Sequence, residues 1–118
     1  VPFYGDVLFT TDTFIEENPD VVQRFVRATL KGWQEAIENP ELAADAVMTF
    51  APDADRELEL ESVETSIPLI DTGEGQIGRM SEDVWTEMHD VLLERGLIEE
   101  PVDLSTVYTN EFVEDVQP

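Results

Sequence analysis

Cysteine is absent from the sequence, which excludes disulfides, thiolate metal sites and cysteine nucleophiles. Histidine occurs once, at His89, so a two-histidine metal site within one chain is excluded as well. Basic residues are scarce: 6 Lys and Arg stand against 28 Asp and Glu, a formal net charge of −22. That balance argues against nucleic-acid binding, which needs clustered Lys and Arg to neutralise phosphates. It argues equally against docking on an anionic membrane surface. No apolar run approaches the ~20 residues needed to span a bilayer. No serine lies in a nucleophile-elbow context, and no second histidine is present to build a triad. The glycine-rich stretch from Asp71 to Gly78 lacks both the Gly-Lys-Ser/Thr ending of a phosphate cradle and the alternating ligands and terminal Glu of an EF-hand. It reads as a flexible link. No signal-peptide pattern opens the chain, and its start at Val1-Pro2 reads as a processing or cloning boundary of a longer protein.

What is present suits one domain: 118 residues, 42% hydrophobic and 8% aromatic, enough for one modest core. The acidity has three candidate causes, namely adaptation to high salt, a cationic partner steered by the field, and ordinary solvated helix faces. One lysine, Lys31, beside five arginines fits a high-salt surface. The acids are spread along the chain, which favours a general surface property over a dedicated patch. The acids of Glu57-Leu58-Glu59-Leu60-Glu61 point in different directions on a helix and do not converge as a glycosidase pair would.

Phe3 to Thr11 reads as a strand after a turn, with apolar residues on both faces and therefore in need of neighbours. No second strong strand follows. Asn18-Pro19-Asp20 is a helix start: an N-cap, proline at the first helical position, then an acid. Val22, Val26, Leu30, Trp33 and Ile37 then form the apolar stripe of a helix of about five turns. Asn39-Pro40-Glu41 repeats the signal and opens a helix that Pro52 ends. A third helix is expected from Asp53 to about Ser66, stopped by Pro68. Ser81 caps a fourth, with Trp85, Met88 and Leu92 on one face and Gly96 closing it. A short turn follows from Pro101 to Tyr108, and Asn110 caps a last one through Phe112, Val113 and Val116. Trp33 and Trp85 are both expected in the core. His89 reads as a surface or core-edge residue. Tyr4 differs, because Phe3, Tyr4 and Asp6 offer rings to stack on and a carboxylate to pair with an amine.

These residues resemble a family. Asn18-Pro19-Asp20-Val21-Val22, Arg24-Phe25, Arg27-Ala28, Gly32-Trp33, Ala36 and Asn39-Pro40-Glu41 are similar to the post-hinge region of bacterial solute-binding proteins of the thiamine-pyrimidine, sulfonate and nitrate type. Gly75, Gly78, Met80, Trp85, Leu92, Gly96-Leu97-Ile98, Pro101 to Leu104 and Tyr108 to Phe112 strengthen the likeness, toward members that bind the pyrimidine precursor of thiamine or riboflavin. The resemblance implies a two-lobed α/β type II parent, with residues 1–118 as a single domain, its C-terminal post-hinge portion. The chain by itself is then mainly α, with five or six helices and a short N-terminal strand whose sheet partners lie upstream. It implies extracytoplasmic capture of a small heteroaromatic nutrient for an ABC importer, with the permease as partner, no cofactor, no metal and no catalysis. Ligand-binding residues carried over are Phe3, Tyr4 and Asp6. The alternatives are a fragment of a pyrimidine-precursor synthase of the same fold and a helical interaction module. Self-association through the unpaired N-terminal strand is a further expectation.

Overall fold

The computed structural model describes residues 3–73, 75–114 and 116. Six α-helices and one 3₁₀ turn make up its regular structure: α1 (Asp12–Glu17), α2 (Pro19–Glu38), α3 (Pro40–Phe50), α4 (Arg56–Ile70), α5 (Glu82–Glu94), the turn Leu104–Thr106 and α6 (Glu111–Glu114). The fold is mainly α, as the sequence leads one to expect.

Both Asn-Pro signals sit at helix starts. Asn39 accepts the Leu42 N–H at 3.3 Å and Pro40 opens α3, while Asn18 closes α1 before Pro19 opens α2. Helix α1 is an element that the strand reading of the N-terminus left out. Thr11 caps it by accepting the Phe14 N–H at 3.1 Å. The strand expected over residues 3–11 does not form, and no strand is present among the described residues. The cause is the one visible in the sequence: a strand exists only when its N–H and C=O groups pair across a ladder, and nothing here offers one.

Helix α4 departs from expectation at both ends. Its cap is Asp55, whose carboxylate accepts the Glu57 and Leu58 N–H groups at 3.0 and 3.3 Å. It also continues through Pro68 to Ile70, with the Asp71 N–H bonded to the Ile67 carbonyl at 2.9 Å. A proline there removes one rung, to the carbonyl of Glu64, a residue that is exposed.

The chain divides into two compact units, Val1–Gln23 with Arg79–Pro118, and Arg24–Gly78. In the second, α3 packs on α4 around Ala44, which is fully buried. Arg56 ties the pair together, reaching Asp45 at 2.6 Å and Glu41 at 2.9 Å. The hydrogen bonds to Asp45 and then Glu41 hold its guanidinium above the ordinary arginine range. The clamp is solvent-exposed, so it fixes geometry more than it stabilises.

Two glycines act through their backbone. Gly96 has φ +66°, with its N–H on the Leu93 carbonyl at 3.0 Å and the Leu97 N–H on Leu92 at 2.9 Å. This is the double-bonded left-handed stop that closes α5 as expected. Gly78 has φ +82°, and a Cβ placed on it would lie 2.7 Å from Leu30 Cδ2. Gly78→Ala therefore carries both left-handed strain and a clash, together about 2 kcal/mol or more. Chemical denaturation should show a lowered midpoint with an unchanged slope. A midpoint equal to the wild type's would remove Gly78 from the structural account.

Neither tryptophan expected in the core is fully buried: Trp85 is half-buried and Trp33 is exposed. Trp33 was expected to be buried, yet it is 42% exposed, while Val22, Val26, Leu30 and Ile37 on the same stripe are half-buried. The stripe points the right way, but a large indole needs more cover than its own unit supplies. Buried apolar residues among those described are Ala44, Phe112 and Val113. So small a core leaves big rings part-exposed.

Candidate functional site

The first unit carries an aromatic stack held by backbone hydrogen bonds. Trp85 and Met88 lie three residues apart on α5 and so share a face. The Tyr4 ring meets Trp85 with centroids 5.6 Å apart and planes tilted by 46°. On Trp85 also lies Tyr108, stacked at 5.3 Å with planes only 12° apart. Tyr4 is fixed at both ends of its residue: its N–H points at Met88 Sδ at 3.4 Å, and its hydroxyl accepts the Ser81 N–H at 2.6 Å. Ser81 stands in the N-cap position of α5, as the sequence suggests, but its side chain makes no capping bond. Its backbone is used by Tyr4 instead. The Trp85 Nε1 atom is buried and has no hydrogen-bond partner among the described residues. A buried N–H without an acceptor is a cost that the ring contacts of half-buried Trp85 must offset.

Asn110 holds the other side of this region. Its amide donates to the Met80 carbonyl at 2.8 Å and accepts the Met80 N–H at 2.8 Å. The sequence reading makes Asn110 a helix cap; its carbonyl does accept from Val113 and Glu114 at the start of α6, but its side chain is spent on Met80. Arg79 pairs with Glu114 at 2.7 Å, and Gln23 donates to the Phe112 carbonyl at 2.9 Å. Together these pin residues 79–81 and α6 around buried Phe112 and Val113.

A shallow groove of about 260 Å³ lies beside the stack, lined by Glu82, Leu104, Ser105, Tyr108, Thr109 and Asn110. Its wall is kept in shape by Asp103, which takes both the hydroxyl and the N–H of Ser105, at 2.7 and 3.0 Å. Those two bonds, the hydroxyl first, hold the Asp103 carboxyl below the ordinary carboxylate range.

Of the three residues expected to meet ligand, Tyr4 alone is drawn into the stack. Phe3 is 50% exposed and Asp6 is exposed. The chemistry of Tyr108 and Asn110 alone does not mark them as functional. Their signal was positional, inside the Tyr108 to Phe112 stretch. Among the described residues no cluster of three or more His, Cys, Asp or Glu could hold a metal ion, and no helix is long and apolar enough to cross a membrane.

Residues 1–43 match the family described as NMT1/THI5 like. The chain is 32% identical over 109 residues to the riboflavin-binding protein RibY of Chloroflexus aurantiacus, covering 87% of this chain and 31% of that protein. It is 30% identical over 107 residues to the formylaminopyrimidine-binding protein of Halalkalibacterium halodurans, covering 86% of this chain and 32% of that protein. The chain is thus similar to the NMT1/THI5-like family over residues 1–43 and to these two binding proteins over most of its own length. It spans about a third of the length of these curated relatives.

Proposed function

We propose that this chain is the C-terminal, post-hinge portion of an extracytoplasmic solute-binding protein that captures a small, flat, nitrogen-containing ring for an ABC importer. The observation that carries this reading is the pair of relatives: both are named as binding proteins, and the two named ligands are nitrogen heterocycles of different size. A binding role without covalent chemistry suits a chain with no cysteine and one histidine.

Phe3 and Asp6 form the ligand-facing wall in this proposal, because both are exposed beside a Tyr4 that is held from behind. Phe3 supplies a stacking face and Asp6 an acceptor for an exocyclic amine. Tyr4 positions them, since its ring and hydroxyl are already engaged by Trp85 and Ser81. The extended residues 5–9, with Val7, Leu8 and Phe9 46%, 58% and 88% exposed, then find their sheet partners in the lobe that precedes them. In the absence of that lobe the same edge favours self-association.

The test is calorimetry with riboflavin and with formylaminopyrimidine, on this chain and on the protein with its upstream lobe. One wall alone gives roughly half the contacts of a site worth about −8 kcal/mol, leaving about −4, or millimolar. The two-lobed protein should bind one of the two ligands at micromolar strength, and Phe3→Ala should weaken it about tenfold through the lost stack. Micromolar binding by a monomer of the 118 residues would overturn the two-wall reading. Neither ligand binding the two-lobed protein would overturn the ligand class.

A further inference from the structure

His89 is the one ionisable ring of its kind in the sequence, and the proposed binding role makes no use of it. It sits on α5, its side chain 15% exposed. Its Nε2 receives the backbone N–H of Val102 at 3.1 Å, thirteen residues along the chain. Its Nδ1 lies 3.3 Å from Asp90 Oδ1.

An amide N–H can only donate, so Nε2 must present its lone pair to Val102 and the ring proton must be on Nδ1, facing Asp90. In this arrangement the imidazole is neutral. A second proton has one place to go, Nε2, where it would confront the Val102 N–H with another donor. The bond cannot survive that encounter. Between the two bonded residues the chain turns at Gly96 and returns through Pro101, which lacks an N–H and so offers no substitute rung.

The charged group in contact with the ring is the Asp90 carboxylate. The segment that follows carries Glu99, Glu100 and Asp103 in its sequence, the last committed to Ser105. Residues 97–103 include no Lys or Arg. An imidazolium here is therefore met by negative charge, so protonation costs the amide bond without adding a like-charge clash.

We propose that His89 is a pH-operated latch: neutral, it fastens the segment 97–102 to α5 through the Val102 amide, and protonated, it lets that segment go. Its setting affects the start of the 3₁₀ turn at Leu104, and through it Leu104 and Ser105 in the groove.

Hydrogen–deuterium exchange of the peptide spanning 97–104, in the intact protein and corrected for intrinsic rates, tests this between pH 8 and pH 5. Protection of the Val102 amide should drop at least tenfold across that range. His89→Gln keeps a side-chain acceptor that does not ionise, and it should abolish the step while the rest of the protein exchanges as before. Val102 protection equal at both pH values overturns the proposal, as does a step of full size in His89→Gln. Should that variant not fold, the wild-type series alone still decides. Ligand binding plays no part in the readout, so failure of the binding role and failure of the latch are told apart.

Discussion

Trp85→Ala should remove about 3–5 kcal/mol of stability, out of a total of ~5–15 typical for a domain. The indole is the middle ring of the Tyr4–Trp85–Tyr108 stack, so its loss opens a cavity and deprives two tyrosines of a partner at once. Each lost aromatic pair adds ~0.5–1.5 kcal/mol to the burial cost. Trp85→Phe should cost far less, because it keeps a ring in place and discards the buried N–H that has no acceptor. Trp33→Ala supplies the contrast. Its ring is 42% exposed, so its removal forfeits only part of a full burial. Urea unfolding followed by circular dichroism ranks the three. Trp33→Ala costing as much as Trp85→Ala would mean that the stack does not organise its unit.

The second large effect is expected from salt. A net charge of −22 on 118 residues makes self-repulsion a standing cost of compactness. The screening length falls from ~10 Å at 0.1 M salt to ~3 Å at 1 M, so repulsion between carboxylates more than a few ångströms apart fades over that interval. A gain of about 2 kcal/mol corresponds to a Tm rise of roughly 10 °C for a domain of this size. Exposed ion pairs such as those of Arg56 with Asp45 and Glu41 and of Arg79 with Glu114 weaken under the same screening, but 6 bases are few against 28 acids. Thermal melts in sodium chloride from 0.05 to 1 M decide the matter. A Tm that stays flat would remove charge repulsion, and with it the high-salt surface, from the explanation of this composition.

Local signals were the legible part of the fold. Asn39-Pro40, Pro52 and Gly96 act within a turn of their own position, so their effect can be worked out without knowing the neighbours. What depended on neighbours was harder. Pro68 stays within the helix at the loss of one rung on an exposed residue, and residues 3–11 form no strand because a ladder needs a second chain segment. Ser81 and Asn110 were recognisable as residues at helix starts. Their further partners, Tyr4 and Met80, lie 77 and 30 residues away and leave no local trace. The candidate site shows the same division: Tyr4 stood out as an aromatic beside a glycine, whereas its pairing with Trp85 could not be read from spacing.

The grip of Asn110 on Met80 gives this region a chemical clock. An asparagine side chain in water slowly loses its amide nitrogen, leaving an aspartate that differs from it by one atom and one charge. Here the departing –NH₂ is the donor to the Met80 carbonyl, and its replacement by an oxygen would set two acceptors face to face where a bond had been. The Met80 N–H would keep its acceptor, so half the grip would persist while the other half turned repulsive. A molecule aged in this way would keep its helices and nearly its mass, yet its hold on residues 79–81 would have loosened.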